Sequence, residues 1–437
     1  MQSTCGLKNG ICTLCAILKA LDFTGFFSIN AYMALIVQKY GGTSVGSIDL
    51  INTAAKRVLK SHEEGFQIVV VVSAMEGETD RLISLAKKIT NNLPSREYDV
   101  LLSTGEQVTA SLLAMAIEKL GHGAVSFMGH QVQINTSEMY SRAKIESIEI
   151  TKVIDAINKD KIVIIPGFQG VRKDGDITTL GRGGSDITAV ALAVALNAER
   201  VEFYKDVDGI FTANPAICPK ARLIKKISAE EMLELAHLGA KVLHFRSVEL
   251  ARRNNIPLIV RSSLNYNSGS LVTPREEEME EAIVTGIVYD KEQAKFSILN
   301  IPDVPDVLAK IFSTIAGEEV NIDMIVQNTL KRDKSIELSF TCYNHDLKLA
   351  QMAVEKIIED IPGVEYLVEN DLSKLSIVGA GMKAHSGVAS KMFSALASEG
   401  IKVFMVNTSE IKISCLIETK YIELAVRILH DVFELEK

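Results

Sequence analysis

Lys39, Gly41 and Gly42 stand in the run Lys39-Tyr-Gly-Gly-Thr-Ser-Val-Gly46, directly after the apolar stretch Ala34 to Val37. A strand ending in a lysine, paired glycines and then Ile48, Ile51, Ala55, Val58 and Leu59 at helical spacing predict a strand, a tight turn and an amphipathic helix. Such a turn suits a polyphosphate. Glycines let the backbone approach closely, their N–H groups and the helix N-terminus face an anion, and the lysine adds a full charge. The lysine precedes the glycines, the reverse of a Walker P-loop; the same turn would also serve as a plain strand–helix connection. A second turn, Thr178-Thr-Leu-Gly-Arg-Gly-Gly-Ser-Asp186, precedes the apolar helix Ile187 to Leu196, with Ser185 or Asp186 placed to cap it. An arginine among three glycines fits a bidentate grip on a carboxylate or phosphate.

The elements that must hold these turns follow from periodicity. Ile68–Val72, Ile162–Ile165, Val201–Tyr204 and Leu258–Val260 are short, β-branched and almost continuously apolar, as strands buried on both faces of a parallel sheet are. Helical patterns such as Gln107–Leu120, Ser147–Asn158 and Ala229–Leu238 alternate with them. The pattern predicts an α/β sandwich with ligands beyond the strand ends. After an acidic stretch at 276–281 the pattern changes and repeats itself. Lys295–Leu299, the helix Val307–Ala316, Val320–Val326, the strand Ile336–Thr341 and the helix Leu347–Ile358 form one unit. Lys374–Val378, Val388–Ala397, Ile401–Val406, Ile411–Ile417 and Tyr421–Phe433 form the next.

The chain has 437 residues, 47% hydrophobic and 23% charged, enough for two or three globular domains. A net charge of −8, with no basic run carrying interleaved aromatics, argues against a nucleic-acid surface. No apolar run reaches membrane-spanning length without a charge. Cys12 and Cys15 form a C-x-x-C that lacks the second pair of a zinc site. The wide spacing of Cys218, Cys342 and Cys415 indicates reduced cytosolic thiols. The eight histidines show no ligand spacing, and His237 and His244 read as surface or packing residues. Residues 1–32 look foreign to the rest, and strand pattern begins at Met33, the expected natural start.

With these features the chain closely resembles the aspartokinases of the amino-acid kinase family. The resemblance rests on Lys39–Ser44, Ser73-Ala74-Met75, Ser103-Thr104-Gly105-Glu106, Pro166–Gly170, Thr178–Asp186, Lys205–Gly209, Gly239–Leu243 and Arg261-Ser262-Ser263, in family order. It implies a three-layer α/β kinase domain over 33–275, followed by two α+β ACT domains over 276–372 (with a linker) and 373–437. It also implies transfer of the γ-phosphoryl of ATP, with Mg2+, to the side-chain carboxylate of L-aspartate, towards lysine, threonine and methionine.

By resemblance, Lys39, Arg182 and Asp186 carry catalysis. Ser73, Thr79, Glu106, Arg182 and Ser185 hold aspartate. Lys39, Gly41, Gly42, Thr43, Ser44, Tyr204, Lys205, Asp206, Asp208, Gly209 and Lys241 hold the nucleotide. Asp206 and Asp208 equally suit a turn or helix cap. Lysine, threonine or both are expected as effectors at Asp303, Asn321, Asp323 and Gln327, with Thr408, Ser409 and Glu410 in the second unit. A cytoplasmic homo-oligomer is implied, with a shorter subunit from an internal start at Met279 as an option. The alternatives are another amino-acid kinase and an inactive amino-acid sensor. Two departures stand out. Pro302-Asp-Val-Pro-Asp306 has no glycine after its first proline, and Phe245 replaces a frequent proline after His244.

Overall fold

The computed structural model describes residues 34–92, 95–274, 282–330 and 335–437. The expected N-terminal extension, Met33, the acidic stretch and Met279 lie outside the described residues.

The first part contains strands β1 (Leu35–Tyr40), β2 (Gln67–Val72), β3 (Ala124–Ser126), β4 (Ile134–Thr136), β5 (Ile145–Ile148), β6 (Ile162–Pro166), β7 (Gln169–Val171), β8 (Ile177–Thr179), β9 (Arg200–Lys205), β10 (Lys226–Ser228), β11 (Leu258–Ser262) and β12 (Ser270–Thr273). Its helices are α1 (Ile48–Glu63), α2 (Glu78–Ile89), α3 (Ser95–Lys119), α4 (Thr151–Ile157), α5 (Gly184–Ala195), α6 (Ala229–His237) and α7 (Phe245–Arg253).

Eight strands form one sheet in the order β10-β12-β11-β9-β1-β2-β6-β3. All neighbours run parallel except β11 and β12. Alternate side chains of β1 and β2 serve opposite faces. Ile36, Ile68, Val70 and Val72 face the core shared with α1 and α3, while Val37, Val69 and Val71 face the opposite core, where α5 lies on β1 and β2 and α4, α6 and α7 complete the layer. This is the expected three-layer sandwich. Burial on both faces is what made its strands continuously apolar. In α1, Ile51, Ala55 and Val58 are buried as expected, but Ile48, first after the Ser47 cap, stands exposed. α3 has the length and hydropathy of a membrane span, yet it is a core helix lying on β3 and β6. A small sheet, β5-β4-β7-β8, leads from β8 into the arginine turn.

The second part contains β13 (Gly286–Pro302), α8 (Pro305–Gly317), β14 (Ile322–Leu330), β15 (Ser335–Tyr343), α9 (Leu347–Asp360), β16 (Glu365–Val378), α10 (Val388–Ser398), β17 (Met405–Thr408), β18 (Lys412–Glu418) and α11 (Ile422–Val432). They build a six-stranded sheet, β14-β15-β13-β16-β18-β17, and two separate cores. The sequence predicts two consecutive units dividing at 372/373. The structure differs, because β13 and β16 are long strands broken by register shifts near Asp290 and Gln293 and shared by both units. Gly286–Asp290 pairs with Lys374–Val378, and Val284 and Ile287 pack in the second unit's core. The first unit is thus inserted after the opening strand of the second. A repeat compared in sequence order hides that strand, since it precedes both copies.

Candidate active site

β1 ends at Tyr40, and Gly41 turns back so that its N–H donates to the Tyr204 carbonyl at 3.1 Å. Ser44 Oγ donates to the same carbonyl at 3.1 Å. Gly42 lies so close to the strand-end turn of β2 that an added Cβ would stand 2.9 Å from the Ala74 carbonyl. A methyl group there would force the turn away from β2. Residues Gly42–Val45 form a short 3-10 turn before Ser47 caps α1, so the glycines do not enter the helix directly.

The arginine turn reaches the same strand ends from α5. The helix begins at Gly184 behind Gly183, which is left-handed at φ 73°, and no side chain caps it. Ser185 and Asp186, expected as caps, lie inside the first turn. Gly183 has no room for a side chain because His244 packs against it, 2.3 Å from a hypothetical Cβ. Gly167 is likewise pressed on Ser185, with its hypothetical Cβ at 2.6 Å.

These contacts aim Asp186 at Lys39. Lys39 Nζ lies 2.6 Å from Asp186 Oδ1, and Lys205 Nζ lies 3.1 Å from Oδ2. Lys39 and Asp186 are only 4% and 5% exposed, so the charges are held where water screens them little. Burial pushes the Asp186 carboxyl up, but Lys205 and Lys39 outweigh it and hold the group well below its ordinary value. Burial lowers the Lys39 pKa, partly offset by Asp186. Glu106 joins from α3. Its neighbour Gly105 lets the helix close on Ala74, whose Cβ would be 2.9 Å from a Cβ at 105. Burial raises the Glu106 carboxyl to about 7, opposed by backbone hydrogen bonds from Glu106 and Ala74 and by the Lys39 charge. One of its oxygens, Oε2, is buried without a hydrogen-bond partner.

The fold therefore gathers Lys39, Gly41, Gly42, Ser44, Glu106, Ser185, Asp186 and Lys205 around the carboxyl ends of β1, β2 and β9. Ser73 sits half-buried at the end of β2, and Thr79 lies in the first turn of α2. Thr43, Arg182, Asp206 and Lys241 are exposed, and no side chain of the four makes a hydrogen bond or ion pair among the described residues. Arg182 is near enough for its charge to act on His244, as that of Asp186 does. The Tyr204 side chain is in the core, stacked on Tyr40 at 4.6 Å, and only its carbonyl faces the glycine turn. Asp208 accepts from Asn265 Nδ2 at 2.7 Å, and Gly209 leaves no room for a Cβ beside Ser270 Oγ.

Buried cationic and anionic groups around glycine turns at the ends of parallel strands are the arrangement expected from the motifs, and comparison with known proteins specifies it. Residues 34–262 match the amino acid kinase family, and 375–433 match the ACT domain. The aspartate kinase of Pseudomonas putida is 49% identical over 405 residues, covering 92% of this chain and 98% of that one. The chain belongs to the aspartate kinases of the amino acid kinase family. Among solved structures, E. coli aspartokinase III in complex with aspartate and ADP, in the R-state, superposes with a TM-score of 0.77 at 25% identity, over 91% of this chain and 99% of that one. The same enzyme with lysine and aspartate, in the T-state, gives 0.72 at 25% identity over the same shares.

In this kinase the expected effector residues are differently placed. Asp303, Asn321 and Gln327 are exposed, the last two at or on β14, an edge strand. Asp323 receives the ammonium of Lys374, which is 1% exposed on β16 and so ties the first unit to the second. Thr408 ends β17, the Ser409 N–H donates to the Lys412 carbonyl, and Glu410 pairs with Lys383 at 2.9 Å.

Several supporting residues went unseen in the sequence. Asp99, fully buried on α3, accepts from the N–H and hydroxyl of both Ser141 and Thr179, at 2.7–2.9 Å, and so anchors the arginine turn. Arg246 clamps the Leu180 carbonyl at 2.9 Å. The unusual Phe245 is the first residue of α7, where proline is readily accommodated; its ring packs on His237 and His244 at 4.6 and 4.7 Å. A lone acid or arginine in an amphipathic helix carries no spacing signal that would mark such a role.

Proposed function

We infer that this chain transfers the γ-phosphoryl group of ATP to the side-chain carboxylate of L-aspartate, giving 4-phospho-L-aspartate and ADP, at the head of lysine, threonine and methionine synthesis. The observation that carries the reading is the buried Lys39–Asp186–Lys205 cluster beside the glycine turn. An aspartate carboxylate is ionised near neutral pH, so no general base is needed. One of its oxygens bonds to the γ-phosphorus as the bond to the bridging oxygen of ADP breaks. The barrier lies in bringing an anion to a polyanion, and positioning with charge neutralisation lowers it.

In this reading Lys39 neutralises the transferring group, and Asp186 fixes Lys39 in place. Arg182, with no hydrogen-bond or ion-pair partner among the described residues, takes the α-carboxylate of aspartate, and the unsatisfied Glu106 oxygen takes its ammonium. Ser73, Thr79 and Ser185 hydrogen-bond the substrate carboxylates. Gly41, Gly42, Thr43, Ser44, the Tyr204 backbone, Lys205, Asp206, Asp208, Gly209 and Lys241 surround the nucleotide. Both Asp186 oxygens are occupied by lysines, so the divalent cation, Mg2+, would enter with the substrate as MgATP.

The 33–275 stretch is proposed as the kinase domain and the remainder as two ACT units that bind lysine, threonine or both. Assembly of a cytoplasmic homo-oligomer through these units, with a shorter subunit starting at Met279, completes the proposal. A coupled assay of ADP release tests it. Turnover is expected with aspartate and not with glutamate or acetylglutamate, and lysine or threonine should depress it. A preference for either other acceptor would make this another amino-acid kinase, and no turnover with any would make it a sensor.

A further inference from the structure

At the opposite ends of the main sheet's strands, about 20 Å from the strand ends that carry the kinase site, three groups from separate segments converge. His62 lies in the last turn of α1, His122 follows α3, and Asp160 stands between α4 and β6, just before the N-terminal ends of the adjacent strands β2, β3 and β6. His62 Nε2 is 3.4 Å from Asp160 Oδ1, and His122 Nε2 is 3.9 Å from Oδ2. All three ligand atoms fall within 4.8 Å of one another.

The other ring nitrogens decide what these atoms are. His62 Nδ1 is 3.1 Å from the Phe66 carbonyl, and His122 Nδ1 is 3.2 Å from the Gly123 carbonyl. A carbonyl only accepts, so each Nδ1 carries the proton. In the neutral ring each Nε2 then presents a lone pair. Two lone pairs and a carboxylate face one another, and that arrangement calls for a cation between them. Backbone carbonyls on the distal nitrogens are also the supporting contact that metal-bound histidines ordinarily have. Four ligands about a zinc ion at bond lengths near 2 Å stand about 3.3 Å apart; the His62–Asp160 separation of 3.4 Å matches this, and the 3.9 Å of His122–Asp160 needs a side-chain adjustment of about half an ångström.

We propose that His62, His122 and Asp160 form a site for a borderline divalent transition-metal ion of the zinc class, with water in the fourth position. Two imidazoles and one carboxylate favour zinc, nickel or cobalt over magnesium or calcium, which prefer oxygen ligands. The ion would tie together the loops that enter three neighbouring strands, remote from MgATP. The sites differ in chemistry as well as place, so the aspartate kinase reading and this one stand or fall separately.

The test uses the full chain, free of any affinity tag and stripped by chelator, titrated with Zn2+ by calorimetry and with Co2+ by visible absorption. One equivalent is expected at micromolar affinity or tighter. His122→Gln and Asp160→Asn should each weaken it by about tenfold or more, with kinase activity in Mg2+ unchanged as proof of folding. Asp160 is largely exposed and has φ 56°, which asparagine tolerates, so the second variant survives if the first does not fold. Co2+ should give ligand-field bands without a thiolate charge-transfer band. Failure to bind Zn2+, or an equivalent that persists in both variants, as binding at Cys12 and Cys15 would, overturns the proposal.

Discussion

The central charges of the proposed kinase site, Lys39 and Asp186, are buried and paired before any ligand arrives, while most of the groups expected to hold an effector stand in solvent. Lys39, Glu106 and Asp186 are at most 5% exposed; Gly105 and Gly167, which admit no side chain, hold the segments of Glu106 and Asp186 in place, and Asp186 in turn holds Lys39. Asp303, Asn321, Gln327, Thr408 and Ser409 are exposed, and Asp323 alone pairs with a buried cation. Preorganised charge in a water-poor site acts on a transition state without reorganising. Exposed groups on an edge strand and loops can exchange partners, which suits a switch between two arrangements. The difference also runs through the connection between the regions. The second unit is joined to the kinase part by the Lys412–Glu234 pair at 2.8 Å, by Thr212 and His430 at 3.0 Å, and by Ala213, Ile217 and Cys218 in its core. The first unit meets the second through Asp323–Lys374 and a small cluster of Met324, Leu372, Met405 and Leu416.

The contrast breaks most sharply at Lys39. Lys39→Ala removes the buried charge proposed to neutralise the transferring group and leaves Lys205 on Asp186. A fall in kcat of about a hundred- to a thousand-fold is expected, with a much smaller change in ATP affinity. A variant that kept half its turnover would show that the buried cluster is only structural.

The regulatory side should respond in the opposite manner. Asp323→Ala leaves Lys374 buried and unpaired between the two units but touches nothing at the strand ends. The concentration of lysine or threonine needed for half-inhibition should rise by about 5- to 150-fold, the range of ordinary coupling energies, while uninhibited kcat is retained. Loss of kcat equal to that of Lys39→Ala would erase the distinction between the two regions.

What could be read in advance followed physical lines. Strands buried on both faces declare themselves as apolar runs, so β1, β2, β6, β9 and β11 were legible to within a residue or two at most ends. The glycine turns were legible because close approach excludes side chains, as at Gly42 and Gly183. Contacts that close over long sequence separations left no trace. Asp99 reaches Thr179 across 80 residues, and Arg57 reaches the Ser263 carbonyl across 206. His62, His122 and Asp160 have no ligand spacing because three different strand entries bring them together. The opening strand of the second unit was hidden for the same reason, since its partner lies beyond the whole inserted first unit.

The smallest expected effect sharpens the comparison by pH. Burial lifts the Glu106 carboxyl from 4.5 to about 7. The folded chain therefore keeps a proton between pH 4.5 and 7 that the unfolded chain gives up. Glu106 then favours the folded state at low pH, and that contribution fades as pH rises through this window, with a total of about 3 kcal/mol. In the proposed reading the ammonium of aspartate binds the ionised form. The KM for aspartate should accordingly climb towards tenfold for each pH unit below about 7, with the KM for ATP nearly level. Glu106→Gln should raise the KM at neutral pH, abolish its slope and add stability at pH 8, measured by thermal unfolding. A native KM that stays flat from pH 6 to 8 would remove Glu106 from the aspartate site and leave its buried, unsatisfied oxygen as a feature of the fold alone.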